Sequence, residues 1–306
     1  MIEKATGLAA DHVFLDLEDS VAPDAKVEAR ATVASAVDSH DWGGRVVAVR
    51  VNDMDSPWGP DDLRQVAKDS GPRLDVIIIP KVESPAQLEL VDTILAEAET
   101  DFGREAGSIG IEAQIETASG LTAINEIAIA SERTESLIFG PGDMAASLGM
   151  PSLAVGELRD DYPGDHWHHI LMRILIAARS AGLQAIDGPY AAIGDQDGYR
   201  ASAARSRLLG YDGKWAIHPT QIDTANDVYG VSQADFERAT DIVGAYAAAG
   251  AEGRGAVMFG TEMIDEASRK MAEATLEKGR LQGAVARPTD PDVAFHERAA
   301  WRSEHG

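Results

Sequence analysis

Glu116 and Asp143 are the residues of this sequence best placed for chemistry. Each closes a short apolar run, 108–116 and 136–143. Hard divalent cations such as Mg²⁺ take oxygen ligands and are often held by one or two protein carboxylates, with water and substrate completing the shell. Helix capping is the competing role, because Thr117 follows Glu116 and a helix-like Met-Ala-Ala-Ser-Leu follows Asp143. The Gly140-Pro141-Gly142 turn favours a ligand site, since glycine lets backbone N–H groups approach a ligand closely. Gly142 and Asp143 are therefore assigned to substrate, and Glu116 and Asp143 to the metal. Glu18 and Asp19 follow another apolar run; one could orient a metal-bound water while the other caps the next helix. Neighbours on a strand face opposite ways, so the pair is expected to act behind the metal. Arg50, at a further run's end with Asn52 close by, could bind a carboxylate or stabilise an enolate oxygen, with a structural ion pair as its alternative. His166, His168 and His169 lack a strong ligand spacing and read as surface or helix-packing residues. His218, before Pro219, lines a site or shapes the backbone there. No Ser-His-Asp arrangement and no Walker A motif is present.

These residues sit at the ends of seven apolar runs: 12–19, 45–52, 76–82, 108–116, 136–143, 182–189 and 213–219. Amphipathic stretches separate them, at 22–39, 60–68, 85–100, 120–130, the second half of 158–181, 198–209 and 219–229. Alternating strands and helices predict a parallel α/β sheet, and runs such as Val76-Ile77-Ile78-Ile79 are apolar throughout, as in strands buried on both faces. In a TIM (β/α)8 barrel the C-terminal strand ends build the active site, which is where the polar residues gather. Seven strands are one short of that barrel, and 1–10 reads as a helix, so the missing strand would be the first. An open doubly wound sheet is the alternative, but its Gly-rich phosphate turn is absent. Residues 1–230 are assigned to the barrel, 231–286 to a helical C-terminal lid with a Gly-rich break at 250–260, and 287–306 to a loosely held tail.

The chain has 306 residues, enough for a large core. Its 27 basic and 51 acidic residues give a net charge of −24, which argues against nucleic acid. An anionic ligand would need local cations, and Lys26, Arg30, Arg50 and Lys81 lie near strand ends. No run approaches a membrane span, no signal-peptide pattern opens the sequence, and cysteine is absent, which together fit a cytoplasmic protein.

The ordered set of strings resembles a known family. Phe14-Leu15-Asp16-Leu17-Glu18-Asp19-Ser20-Val21-Ala22-Pro23, with Lys26 and Ala29-Arg30, is similar to the signature of CoA ester lyases related to the citrate lyase β subunit. Val49–Asn52, Ile79–Val82, Ile115–Gly120, Gly140–Asp143, Asp187–Pro189 and Gly213–Pro219 follow in the family's order, over about 1–283. Asp41-Trp42-Gly43 and Gly213–Pro219 favour the malyl-CoA lyase branch. The resemblance implies a TIM barrel with Mg²⁺ (or Mn²⁺) on Glu116 and Asp143 and with Arg50 on the oxo-acid or enolate oxygen. It implies CoA phosphates on Lys26 and Arg30, and adenine near Ile217, His218 and Pro219. A C-terminal segment of the family reaches a neighbouring subunit's site and supplies an aspartate; Glu262-Met263-Ile264-Asp265 matches it, making Asp265 the proton carrier of a homo-oligomer, a trimer or hexamer. Family members also open with an Arg-Ser-x-Leu…Pro-Gly strand, the one absent from the count of seven, whose Arg is expected to help bind CoA. The activity implied is cleavage or formation of a 3-hydroxyacyl-CoA such as malyl-CoA, giving acetyl-CoA and glyoxylate. Malyl-CoA hydrolysis, a citramalyl-CoA or β-methylmalyl-CoA substrate, and a non-catalytic CoA-ester-binding subunit are the alternatives.

Overall fold

The computed structural model describes residues 2–284 except 152, 153 and 160; the expected tail lies outside these residues. Two compact units divide at Tyr229 and Gly230. In the first, a short helix α1 (Ile2–Ala5) precedes seven strands, β1 (His12–Asp16), β2 (Val46–Arg50), β3 (Val76–Ile79), β4 (Gly110–Ile115), β5 (Thr134–Phe139), β6 (Gln184–Asp187) and β7 (Gly213–Lys214). They form one sheet in chain order, every neighbouring pair parallel. Between them run α2 (Lys26–Ser39), α3 (Gly59–Asp69), α4 (Pro85–Phe102), α5 (Ala118–Thr122), α6 (Ile124–Ala128), α7 (Pro141–Ser147), α8 (His168–Ser180) and α9 (Gln196–Leu209), and α10 (Ile222–Tyr229) closes the unit.

Register explains how the sheet is buried on both faces. Phe14 lies beside Ala48, Ala48 beside Val76, Ile78 beside Glu112 and Glu112 beside Ser136, so these residues share one face. Ala48, Val76, Ile78 and Ile138 form a small core there with Phe14, Ile186 and Trp215. The alternate positions, such as Val47, Val49, Ile77 and Ile79, join the large core under the helices. The sheet curls so far that the rings of Phe14, on β1, and Trp215, just past β7, stack 4.5 Å apart. The first face is therefore the inside of a barrel-like curl, and β1 and β7 are its edges among the described residues. The α/β reading and the seven strands are as expected.

Local chemistry sets the boundaries. Ser84 and Gln87 form a capping box ahead of Pro85, which starts α4. Gly182, at φ 76°, ends α8 as expected. On the outer side Asp187 accepts from Lys214 at 2.8 Å and Ser206 at 2.7 Å, tying β6 to β7 and α9. Burial lowers the Lys214 pKa, so Asp187 is what keeps the ammonium in place.

Several elements depart from the sequence expectations. The opening helix covers only Ile2–Ala5 of 1–10. The 120–130 stretch is broken into α5 and α6, with Ala123 at φ −90° and ψ 10° between them. In the second unit α11 (Gln233–Ala251) runs into the expected Gly-rich break, and an antiparallel hairpin follows, β8 (Val257–Phe259) and β9 (Glu262–Ile264). The helix α12 (Glu266–Leu281) then packs on α11 around Phe236, Ala239, Ala272 and Leu276. A Cβ on Gly279 would stand 2.4 Å from the Phe236 ring, so α11 and α12 meet only because that position is glycine. No described helix is long and apolar enough to cross a membrane.

Candidate active site

Arg50 is the centre of the site. It ends β2 facing the inside of the curl and is 7 % exposed. Its Nε and Nη2 donate to Asp16 Oδ1 and Oδ2, both at 2.8 Å, in a two-pronged pair. Its Nη1 lies 2.7 Å from Glu18 Oε2 and 3.6 Å from Asp19 Oδ2. The guanidinium also sits over the Trp215 ring, 5.4 Å from its centroid. Burial pushes the Asp16 carboxyl up, but Arg50 more than offsets this and holds it below the usual carboxylate range. Glu18 is different: burial dominates, Arg50 and Lys81 oppose it, and its pKa stays raised.

Lys81 joins the two halves of the site. It follows Pro80 at the end of β3 and is the one described non-glycine residue with positive φ, 50°. That conformation costs about 1–3 kcal/mol and is usually kept where function fixes it. It turns the backbone N–H of Lys81 onto Glu116 Oε1 at 2.9 Å. It also sends Nζ to Glu18 Oε1, with Asp143 Oδ2 at 3.7 Å. Burial opposes the ammonium charge, but Glu18, Glu116 and Asp143 hold the Lys81 pKa above its ordinary value.

Glu116 lies just past β4 and is 2 % exposed. Its Oε2 accepts from Gln114 Nε2 at 2.7 Å. Burial, with Asp143 and Glu18 nearby, pushes its pKa up to about 8 despite Lys81. A carboxyl made basic chiefly by burial, and further by other carboxylates, is a place where a cation is favoured over a proton. Asp143 stands in the first turn of α7, more open than Glu116. Among the described residues no three His, Cys, Asp or Glu side chains gather as a metal cluster. Glu116 and Asp143 are instead a pair, the number Mg²⁺ commonly takes from protein. Gly140 is required between them, because a Cβ there would lie 2.3 Å from Glu116 Oε2. The donor set therefore fits a hard divalent cation.

Lys26 is 7 % exposed and donates to Leu17 O, Glu18 O and Asn52 Oδ1. Arg30, equally buried, pairs with the fully buried Asp62 and with Trp58 O. Lys26 thereby braces the loop after β1 and Arg30 the segment that leads into α3, so both charges already meet buried acceptors. Glu18 and Asp19 also behave unlike neighbours on a strand: β1 ends at Asp16, and in the loop both carboxylates turn toward Arg50. His218 accepts from the Thr220 backbone N–H, and Ile217, His218 and Pro219 form an exposed edge. Gly142 is in the first turn of α7, where a Cβ would meet Val155 at 3.6 Å, so room remains beside it. In the second unit Asp265 is the N-cap of α12, its Oδ1 accepting from Ala267 N at 3.0 Å and Ser268 N at 3.1 Å. The Ser268 backbone N–H, chief among these contacts, lowers its pKa. Asp16, the anchoring role of Lys81, and Gln114 were missed as site residues. The spacing Asp16-x-Glu18 and the alternation Glu112, Gln114, Glu116 were the available signals.

A curled parallel sheet with acidic and basic side chains converging at its C-terminal ends has the layout of an α/β-barrel enzyme. Residues 1–219 match the HpcH/HpaI aldolase/citrate lyase family, and the chain belongs to it. It is 38 % identical over 293 residues to the L-malyl-CoA/beta-methylmalyl-CoA lyase of Cereibacter sphaeroides, covering 93 % of this chain and 92 % of that protein. It is 36 % identical over 283 residues to a (3S)-malyl-CoA thioesterase of the same species, covering 92 % and 91 %. Protein CitE of Mycobacterium tuberculosis, solved with magnesium, acetoacetate and coenzyme A, superposes with a TM-score of 0.72 at 29 % identity over 91 % of this chain and 92 % of that one.

Proposed function

We propose that this chain is a Mg²⁺-dependent carbon–carbon lyase that cleaves or forms a 3-hydroxyacyl-CoA, malyl-CoA or β-methylmalyl-CoA being the substrate class. The observation that carries the reading is Glu116, 2 % exposed and joined to Asp143 through Lys81, whose backbone N–H donates to Glu116 Oε1 at 2.9 Å and whose Nζ lies 3.7 Å from Asp143 Oδ2. Glu116 and Asp143 would hold the metal, which when bound supplies Lewis-acid polarisation of the substrate's hydroxyl and carboxylate. Mn²⁺ would serve in its place.

The protein's own groups account for the rest. In cleavage the hydroxyl proton leaves to solvent, the oxygen's electron pair becomes the C=O bond of the oxo acid, and the pair of the breaking carbon–carbon bond passes to the thioester enolate. A guanidinium has five N–H donors, and Asp16 takes two of Arg50's. Those not turned to carboxylates are preorganised for an oxo-acid or enolate oxygen. Glu18, held between Arg50 and Lys81, fixes both cations, and Asp19 at the rim tunes the Arg50 field. Asp265, from a neighbouring subunit of a homo-oligomer, would protonate the enolate carbon in cleavage and remove the methyl proton in condensation. The exposed Ile217–Pro219 edge would lie along the adenine. We place the enzyme in the cytoplasm, supported by the lack of cysteine and of an apolar spanning helix among the described residues.

Incubating malyl-CoA with protein and Mg²⁺, then measuring free thiol and glyoxylate separately, tests the reading. Glyoxylate with acetyl-CoA, and little free thiol, is the expected result. The relative of similar identity named as a thioesterase supports a second reading. Free CoA with malate and no glyoxylate would establish that reading and displace the lyase.

A further inference from the structure

Gln114 belongs to no part of the chemistry above, yet it is 3 % exposed and lies inside the curl. Glu112, Gln114 and Glu116 alternate along β4 and past its end, so all face inward. Gln114 Nε2 donates to Glu116 Oε2 at 2.7 Å, while Lys81 N donates to Oε1 at 2.9 Å. Each carboxylate oxygen therefore has one N–H donor and keeps lone-pair capacity for a cation. The space for this contact is built: a Cβ on Gly140 would lie 2.3 Å from Glu116 Oε2 and 3.0 Å from Gln114 Nε2. The other end of the amide, Oε1, is buried with no hydrogen-bond partner, as are Thr134 Oγ1 and His12 Nε2. Leaving such atoms unpaired costs about 1–3 kcal/mol each, which an apolar residue at position 114 would avoid. A buried amide held at that cost, in a pocket opened by glycine, indicates a task set by Glu116.

We propose that Gln114 is a positioning residue: its amide fixes the rotamer of Glu116 so that the carboxylate meets a divalent cation with Asp143, and Gly140 provides the room. The inference rests on the metal-site reading above. Groups that orient a metal ligand are worth about 10–100-fold in affinity.

The test measures Mn²⁺ binding to substrate-free protein by the electron paramagnetic resonance signal of the free ion. Gln114→Met, of similar length but without the amide, is expected to weaken Mn²⁺ binding by about 10–100-fold. Gly140→Ala, whose Cβ would crowd Glu116 and the Gln114 amide together, should weaken it as well. Adding Gln114→Met to Glu116→Gln should cause no further loss, because the two act as one unit. Circular dichroism and thermal melting confirm folding of each variant. Should Gln114→Met fold poorly, Gln114→Leu, which also lacks the amide and adds no charge, takes its place. A folded Gln114 variant with wild-type Mn²⁺ affinity, while Glu116→Gln and Asp143→Asn lose binding, overturns the positioning role alone. Unchanged binding in Glu116→Gln and Asp143→Asn overturns the metal site and this inference with it.

Discussion

Arg50 carries more contacts than any other basic residue of the site, and their geometry is specific to a guanidinium. Two N–H groups grip Asp16, another edge faces Glu18, and the plane lies over Trp215. Lysine would retain the charge but not the fork or the stacking plane. Arg50→Lys is therefore expected to lower kcat by about 10²–10³, the loss typical when one preorganised oxyanion donor is removed, while Mn²⁺ affinity is unchanged. Steady-state kinetics and metal titration on the same preparation check this; equal losses in both would make Arg50 a structural support. At this scale the sequence was informative about residue type and poor about partners. Arg50, Glu116 and Asp143 were legible because charge at the end of an apolar run needs a reason. For Lys26 and Arg30 the motif does not reveal whether a cation faces solvent or a buried acceptor, and Asn52 and Asp62 receive them here.

At the scale of elements, Asp265 has two duties that a single substitution would confuse. It caps α12, and its carboxylate is the proposed proton carrier. Removal of an N-cap costs about 0.5–2 kcal/mol, so Asp265→Ala should both destabilise the C-terminal unit and stop turnover. Asp265→Asn separates the two, since the amide oxygen still caps but cannot exchange a proton at neutral pH. The expected outcome is a melting temperature near wild type with turnover reduced by at least about 10², the lower range for a general acid–base group. Retention of wild-type kcat in Asp265→Asn would remove Asp265 from the mechanism. The seven strands were legible because parallel strands buried on both faces leave continuous apolar runs. The β8–β9 hairpin was hidden: Val257–Phe259 and Glu262–Ile264 are three residues each, too short for a period, and the surrounding glycines read as a break. The positive φ of Lys81 was also unreadable, because an αL lysine leaves no trace in the sequence.

At the scale of the whole molecule, the inside of the sheet is where folding and site chemistry meet. The net charge of −24 lies over a core that holds several carboxyls besides those at the strand ends. Glu112 is the clearest: it sits beside Ser136 on β5, His12 Nδ1 is 3.7 Å away, and burial pushes its pKa up to about 7 against the Ser136 hydroxyl. Its ordinary value is 4.5, so between pH 4.5 and 7 the folded chain binds more protons at this position than the unfolded chain does. Stability from Glu112 therefore falls as pH rises through that window, by on the order of 3 kcal/mol in full. Glu116 and Glu135, also raised, act in the same direction, whereas His12, lowered by burial, destabilises the fold as pH falls below 6.5. The total profile mixes these groups, but subtraction isolates one of them. Glu112→Gln removes the titration while preserving size, so urea unfolding of both proteins from pH 4.5 to 8 should show the variant gaining on the wild type as pH rises. The gain should begin near pH 5 and level off above about pH 7. A difference that stays constant across the range would mean that Glu112 is ionised in the folded protein, paired by His12, and that the interior of the curl tolerates a charge there.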